Sequence, residues 1–495
     1  MKAMRRGTGS PPRRPTLCPV VSKDADSRKD EEMAPTKEDS LPSGRIARTA
    51  RFGKLVGGQG VRWAGTRAAN MTRDEEASQR KMEERALSLA EELVEQLGKM
   101  RGAAMKIGQV LSTVDFEAIP EGERENFKAK LASLRDAAPS VPFPKVKKVI
   151  EKDLDGKISE LFAKFDEEAF AAASIGQVHR AVTHEGDEVV VKIQYPGVAE
   201  AVETDLRNMN MLLPLVKRLA PGLDGKALAA ELRERIGEEL DYELEAQNQR
   251  RVERMFRDHP FIKVPKVYTE LSSRRVLVSE FVEGEGFESV KALPEADRDR
   301  YGEIVFRFFF HLLHKERFCS GDPHPGNYIR RKDGSVCFLD FGLMKAVTKE
   351  TLAEEHALVS AVLAQDHVGV KASLVDLGYL PEPDKFDAQM LLEQMTVAGE
   401  WQFAPGFRRI TPDYVFELAE VGSSPRSPYF KQMRQMTLPP EALLVRRMEA
   451  LVFSVLGELR AGSDWHGIGT EYWAGAEPST ELGRVDAEWR SSTGR

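Results

Sequence analysis

Four residues, Lys192, Asp322, Asn327 and Asp340, stand in an order and at a spacing suited to phosphoryl transfer. Lys192 ends the run V-V-V-K, Asp322 and Asn327 lie in G-D-P-H-P-G-N (residues 321–327), and Asp340 lies in L-D-F-G (residues 339–342). Moving a phosphoryl group requires a cation against the phosphates, a carboxylate that orients the attacking group, and oxygen ligands for Mg²⁺. A strand lysine, Lys192, supplies the first and Asp322 the second. Asn327, five positions after Asp322, and Asp340, eighteen after it, supply the third. D-P-H-P-G-N by itself reads as a turn. The ordered set, with a strand-like stretch around each metal ligand, points to a site for ATP or ADP with Mg²⁺.

Protein kinases cover the phosphates with G-x-G-x-x-G-x-V, whose glycines let backbone amides approach closely. The corresponding string here is A-A-A-S-I-G-Q-V (residues 171–178), ending fourteen residues before Lys192. Ala171 and Ala173 occupy the first two glycine positions and only Gly176 remains. Alanine restricts positive φ, so a stiffer loop is expected, with Ala171, Ala173, Ser174, Gly176 and Val178 along the nucleotide. Downstream, L-V-S-E-F-V-E-G (residues 277–284) reads as a hinge whose backbone near Glu280 and Val282 meets the adenine edge. Past Gly342 the chain runs almost directly into a helix-like stretch, Lys349 to Leu363, with no A-P-E string. The segment that positions a peptide in protein kinases is therefore expected to be missing.

The elements that position these groups are readable in outline. The chain has 495 residues, 41% of them hydrophobic, which suffices for one large bilobal domain with extensions. A net charge of −7 argues against general nucleic-acid binding. Three cysteines without metal-like spacing predict a reducing compartment. The longest apolar run, Ile304 to Phe318, is interrupted by Arg307, His311, His314, Lys315, Glu316 and Arg317, and reads as a core helix with a polar edge rather than a membrane span. The arginines at 5, 6, 13 and 14 precede no apolar stretch, so no secretory signal is expected. Residues 1–43 have the composition of a disordered tail. Between Ser40 and Arg73 seven basic side chains and no acidic one are interleaved with Ile46, Phe52, Leu55, Val56 and Trp63. Such a segment suits either an anionic membrane surface or docking on its own domain. Leu89, Leu93, Leu97, Met100, Ala104, Ile107 and Leu111 recur at helical spacing. Residues 165–193 alternate strand and turn signals, 199–258 look helical and charged, 264–282 return to strand, and the pattern after Tyr301 is mainly helical. The stretch after Gly462 shows no clear periodicity.

Further strings narrow the reading. K-x-G-Q (Lys106, Gly108, Gln109) lies on a helix-like segment, Q-Y-P-G follows Lys192 at residues 194–197, and E-x-D (Glu239, Asp241) comes later. With the alanine-rich loop these make the chain resemble the AarF/UbiB/ADCK family of atypical kinase-like proteins over residues 90–350. The resemblance implies an α+β, protein-kinase-like bilobal fold, with an N-terminal helical extension carrying K-x-G-Q and a mainly helical C-terminal lobe. Its divisions would be a tail (1–43), the extension (44–138), an N-lobe with the alanine-rich loop (139–283), a C-lobe (284–462) and a C-terminal tail (463–495). Carried over residue by residue, it implies that Lys106 pairs with Glu239 and Lys192 with Glu245. It also implies ATP binding and hydrolysis more than protein phosphorylation, and a link to ubiquinone biosynthesis and lipid homeostasis. The alternatives are a nucleotide-binding pseudokinase scaffold and a protein Ser/Thr kinase. The expected setting is cytoplasmic, with any contact to membrane or a quinone precursor made peripherally through the basic segment.

Overall fold

The structure, a computed structural model, describes residues 75–98, 119, 123, 126, 127, 130, 141–173, 175–204, 206–207, 237, 240–424 and 426–494. The tail expected over 1–43, the basic segment, the K-x-G-Q string (Lys106, Gly108, Gln109), Ser174 and Glu239 lie outside the described residues. Helix α1 (Glu75–Gly98) buries Leu89, Leu93 and Leu97, three of the positions set at helical spacing.

The upper half is built on a five-stranded antiparallel sheet. Helices α2 (Phe143–Asp153) and α3 (Ile158–Leu161) lead into β1 (Lys164–Phe165), β2 (Ala171–Ala172), β3 (Gly176–Val182) and β4 (Glu188–Gln194). Both β1 and β2 pair with β3, β3 pairs with β4, and β4 pairs with β6 (Val276–Glu280), which follows α4 (Tyr242–Met255) and β5 (Ile262–Lys263). The period-two pattern of β4 explains its two faces. Val189, Val191 and Ile193 bury with Val146, Val149 and Ile150 of α2 in one core. Lys192 is therefore turned to the opposite face.

Below the hinge come α5 (Phe287–Lys291), α6 (Glu295–His314), β7 (Phe318–Ser320), β8 (Tyr328–Arg330), β9 (Val336–Phe338) and β10 (Met344–Ala346). Helices α7 (Lys349–Leu363), α8 (His367–Asp376), α9 (Ala388–Ala398) and α10 (Glu400–Phe403) follow. The chain then passes through β11 (Arg408–Arg409), α11 (Pro412–Ser423), α12 (Phe430–Met433), α13 (Pro440–Leu459), β12 (Gly462–Ser463), α14 (Trp465–Trp473) and α15 (Glu481–Thr493). Two short ladders frame the chemistry: β8 lies antiparallel to β9, and β7 antiparallel to β10. The helix expected from Lys349 to Leu363 forms over those residues, capped by the Thr348 side chain on Thr351 N–H.

One expectation is refined and one corrected. Helix α6 is the core helix expected, with Lys315 and Arg317 exposed just past its end, but Arg307 and His311 do not belong to that edge: Tyr301 to Leu313 are buried, Arg307 at 1% exposure and His311 at 4%. Arg307 instead donates to Glu303 Oε1 at 2.8 Å, to Glu471 Oε2 at 2.7 Å and Oε1 at 3.0 Å, and to Thr480 Oγ1 at 3.0 Å. Residues 463–495 are not a loose tail either. They fold as α14 and α15, with Trp465, Ile468, Tyr472, Leu482 and Trp489 inside the lower core. Helix α14 has nine residues, short of the window in which a helical period shows, and α15 buries Asp486 between Leu482 and Trp489, which masks its period. His259 Nε2 and Asp486 Oδ1, 3.0 Å apart, join α15 to the segment between α4 and β5. No helix among the described residues is long and apolar enough to cross a membrane.

Arg307→Leu is expected to cost about 3–5 kcal/mol, because it strands the buried Glu303 and Glu471 carboxylates. Replacing all three by leucine recovers most of that loss, and chemical denaturation of both variants reads the difference. Acid exposes a second feature. His314, whose Nδ1 lies 2.9 Å from His356 Nε2, is pushed down to about 3 by burial, with His356, Lys315 and Arg446 adding to the effect. Below pH 6.5 the unfolded chain takes up a proton that the folded chain refuses. Stability is thus complete above pH 6.5 and falls by about 1.4 kcal/mol per pH unit from this group as pH drops toward 3. Urea midpoints at pH 7.5 and 5.5 should separate, and by less in His314→Phe.

Candidate active site

Lys192 on β4 reaches across to α4 and donates to Glu245 Oε1 at 2.7 Å and Oε2 at 2.9 Å. The lysine side chain is 22% exposed and the carboxylate 4%. Burial is the largest single effect and disfavours the ammonium, but Glu245, Tyr242 and Asp340 together outweigh it. The net shift of the lysine is upward, so it stays charged. Helix α4 can present Glu245 here because Asp241 caps it, accepting from Glu243 N–H and Leu244 N–H at 3.1 Å each. Asp241 thus anchors the helix start, while its expected companion Glu239, and the Lys106–Glu239 pairing, lie outside the described residues.

The D-F-G segment comes to the same place. A Cβ on Gly342 would lie 3.5 Å from Asp340 Oδ1 and 3.8 Å from Glu245 Oε2, so the two carboxylates converge on this glycine. Asp340 Oδ1 accepts from Gly342 N–H at 3.0 Å, leaving Oδ2 for another partner. Asn248, one turn beyond Glu245 on α4, donates to Phe341 O at 3.1 Å and ties the segment to the helix.

The β8–β9 ladder brings Asn327 alongside, with Leu339 N–H donating to Asn327 O at 2.8 Å. The Asn327 amide nitrogen donates to Asp322 O at 3.0 Å, which turns its oxygen away from that bond. Asn327 Oδ1 and Asp340 Oδ2 are then two hard oxygen donors, a set that suits Mg²⁺ completed by phosphate and water. Among the described residues no three His, Cys, Asp or Glu side chains form a closed metal cage.

The loop side is also defined. Lateral pairing sets Ala171 opposite Val178 and Val178 opposite Lys192, so all three share one face of the sheet. Ala173 N–H donates to Gly176 O at 2.9 Å and closes the turn. Gly176 has a packing duty: a Cβ there would sit 2.1 Å from Ile193 O. At the hinge, Glu280 N–H donates to Lys266 O and Phe281 N–H to Glu188 O. Those two amides are engaged within the protein, so a ligand at the hinge would meet the amides that follow, Val282 among them.

Three residues escaped the sequence reading. Tyr242 lies under the lysine, its ring centroid 4.9 Å from Lys192 Nζ. It falls three positions before Glu245, a helical spacing that could have flagged it. Asn248 had a similar signal. Arg447 of α13 had none: it donates to Gly321 O at 2.8 Å and brings its guanidinium within 3.9 Å of Asp322 Oδ1, from 125 residues further along the chain.

Comparison with known proteins agrees with this geometry. Residues 133–374 match the ABC1 atypical kinase-like domain. "Atypical kinase COQ8B, mitochondrial" of Rattus norvegicus is 32% identical over 384 residues, covering 75% of this chain and 71% of that protein. "AarF domain-containing protein kinase 1" of Xenopus tropicalis is 32% identical over 273 residues, 54% of this chain and about half, 51%, of the frog protein. A Mycobacterium tuberculosis protein solved in complex with erythromycin superposes with a TM-score of 0.58 at 30% identity, covering 77% of this chain and 95% of that one. An α+β kinase-like domain with a lysine–glutamate pair, a D-F-G carboxylate and these relatives has one consistent classification: the chain belongs to the AarF/UbiB/ADCK family of atypical kinases.

Proposed function

We propose that this chain binds ATP with Mg²⁺ between its two halves and works as an ATPase or small-molecule kinase serving quinone (ubiquinone-type) or lipid metabolism. The observation that carries the reading is the two-bond contact of Lys192 with Glu245 beside Asp340, since it holds an ammonium where phosphates would lie. In this reading Lys192 binds the phosphates and Val282 meets the adenine edge. Asn327 and Asp340 hold Mg²⁺, which screens the developing charge when bound. Asp322 orients a water or hydroxyl. The oxygen of that water or hydroxyl would attack the γ-phosphorus as the bond to the β,γ-bridging oxygen breaks and ADP leaves, and its proton would pass to the Asp322 carboxylate.

A peptide acceptor fits less well. Only Val347 and Thr348 separate β10 from α7, so the chain has no length there for a peptide-holding segment. The quinone or lipid assignment rests on the family resemblance alone, and peripheral membrane contact on the basic, apolar-interleaved composition of residues 45–73.

Mg-ADP at a hundredfold excess over its Kd should stabilise the full chain by about 2.7 kcal/mol. Asp340→Asn should abolish that shift, and so should leaving out Mg²⁺. A shift with no turnover, in the presence or absence of anionic lipid, would move the scaffold reading to first place; labelled protein acceptors would favour a protein kinase. Arg447→Leu tests the lower loop. It should keep the nucleotide-induced shift and lower kcat about tenfold to a hundredfold, because the Asp322 loop loses its clamp.

A further inference from the structure

A second site lies away from the nucleotide residues, inside the lower half. Helices α6, α7, α9, α11, α13 and α14 enclose a cavity of about 400 Å³, within the range of small-molecule sites. Its wall is predominantly apolar, with Leu313, Leu352, Val362, Leu418 and Phe453 among the lining residues. Exposed Ala398 and Ala450 also line it and leave a low rim.

The lining also carries polar atoms that are incompletely bonded. Among the described residues, three buried side-chain atoms of the lining have no hydrogen-bond partner: Glu355 Oε1, His314 Nε2 and Trp473 Nε1. Glu355 is 7% exposed; its other oxygen is held by Arg446, which also donates to Glu449 at 2.6 Å. His314 uses Nδ1 toward His356 Nε2 at 2.9 Å. Buried polar groups are costly to leave without partners, and three of them around one cavity make a donor–acceptor pattern awaiting a complement.

We propose that this cavity binds an uncharged amphiphile whose apolar body fills the helical wall and whose hydroxyl head donates to Glu355 Oε1 and accepts from Trp473 Nε1–H. A hydroxyl does both with one atom pair. A carboxylate cannot donate, and it would face two carboxylates, Glu355 and Glu449, against the single guanidinium of Arg446. His314, held neutral by burial at ordinary pH, adds a further partner for the same head without adding charge. This inference does not depend on the nucleotide reading.

The probe is 1-octanol, titrated into the full chain with octanoate as the charged control. Trp401 and Trp473 both line the cavity, so tryptophan emission reports occupancy alongside thermal stability. Octanol should change emission saturably and raise Tm, and octanoate at equal concentration should do neither. Ala450→Phe narrows the rim and should abolish the octanol response while leaving the unfolding transition cooperative. Trp473→Phe is the second variant, read by thermal shift. It removes a donor that has no partner among the described residues, so the ligand-free chain should lose little stability while octanol binds about fivefold to tenfold more weakly, the loss of one hydrogen bond. The proposal is overturned if wild type shows no saturable response, if octanoate matches octanol, or if octanol binds both variants as it binds wild type.

Discussion

The contact between Lys192 and Glu245 sets the terms for the rest of this protein. An ammonium and a carboxylate removed from water each carry a desolvation penalty of several kcal/mol, recovered only when the two meet with good geometry. Both distances are below 3 Å, so the pair recovers it. Helix α4 must then lie against β4, and everything that fixes α4 becomes part of the site. The Asp241 cap sets its start and Asn248 binds the D-F-G segment to its next turn. The interaction is local in space and joins residues 53 positions apart in the chain.

The lower half supplies rigidity of a different kind. Its core is aromatic, with Phe308 stacked on Phe338 and Phe306 on Phe310. Arg307 crosses that core to bind Glu471 and Thr480, so the C-terminal helices are held by charge as well as by packing. Helix α13 sits between two uses. Arg446 faces the apolar cavity and its neighbour Arg447 clamps the loop of Asp322. A helix that touches both places by adjacent residues is a short physical route between them.

The alanine-rich turn shows how a family-specific substitution reads in physical terms. With alanines at 171 and 173 the loop remains an ordinary antiparallel turn, closed by Ala173 and Gly176. Gly176 is retained because the Ile193 carbonyl leaves no room for a side chain. A glycine in a phosphate-loop pattern can thus be required by the sheet beneath it.

The chain alone determined the chemistry-bearing set and its order. Lys192, Asp322, Asn327 and Asp340 are legible because each sits in a short string whose spacing local strands and turns dictate. The period-two pattern of β4 and the helix from Lys349 were legible for the same reason. Residues 463–495 were not, since one helix is only nine residues long and the other buries Asp486, a charged residue, between Leu482 and Trp489. Nor was the environment of Arg307, which looked like a solvated edge and proved to be an internal ion network. Arg447 against the Asp322 loop, and three unpartnered polar atoms meeting at one cavity, belong to the tertiary structure alone. Spacing along a chain reports contacts made within a few residues, whereas these depend on helices folded together from more than a hundred residues apart.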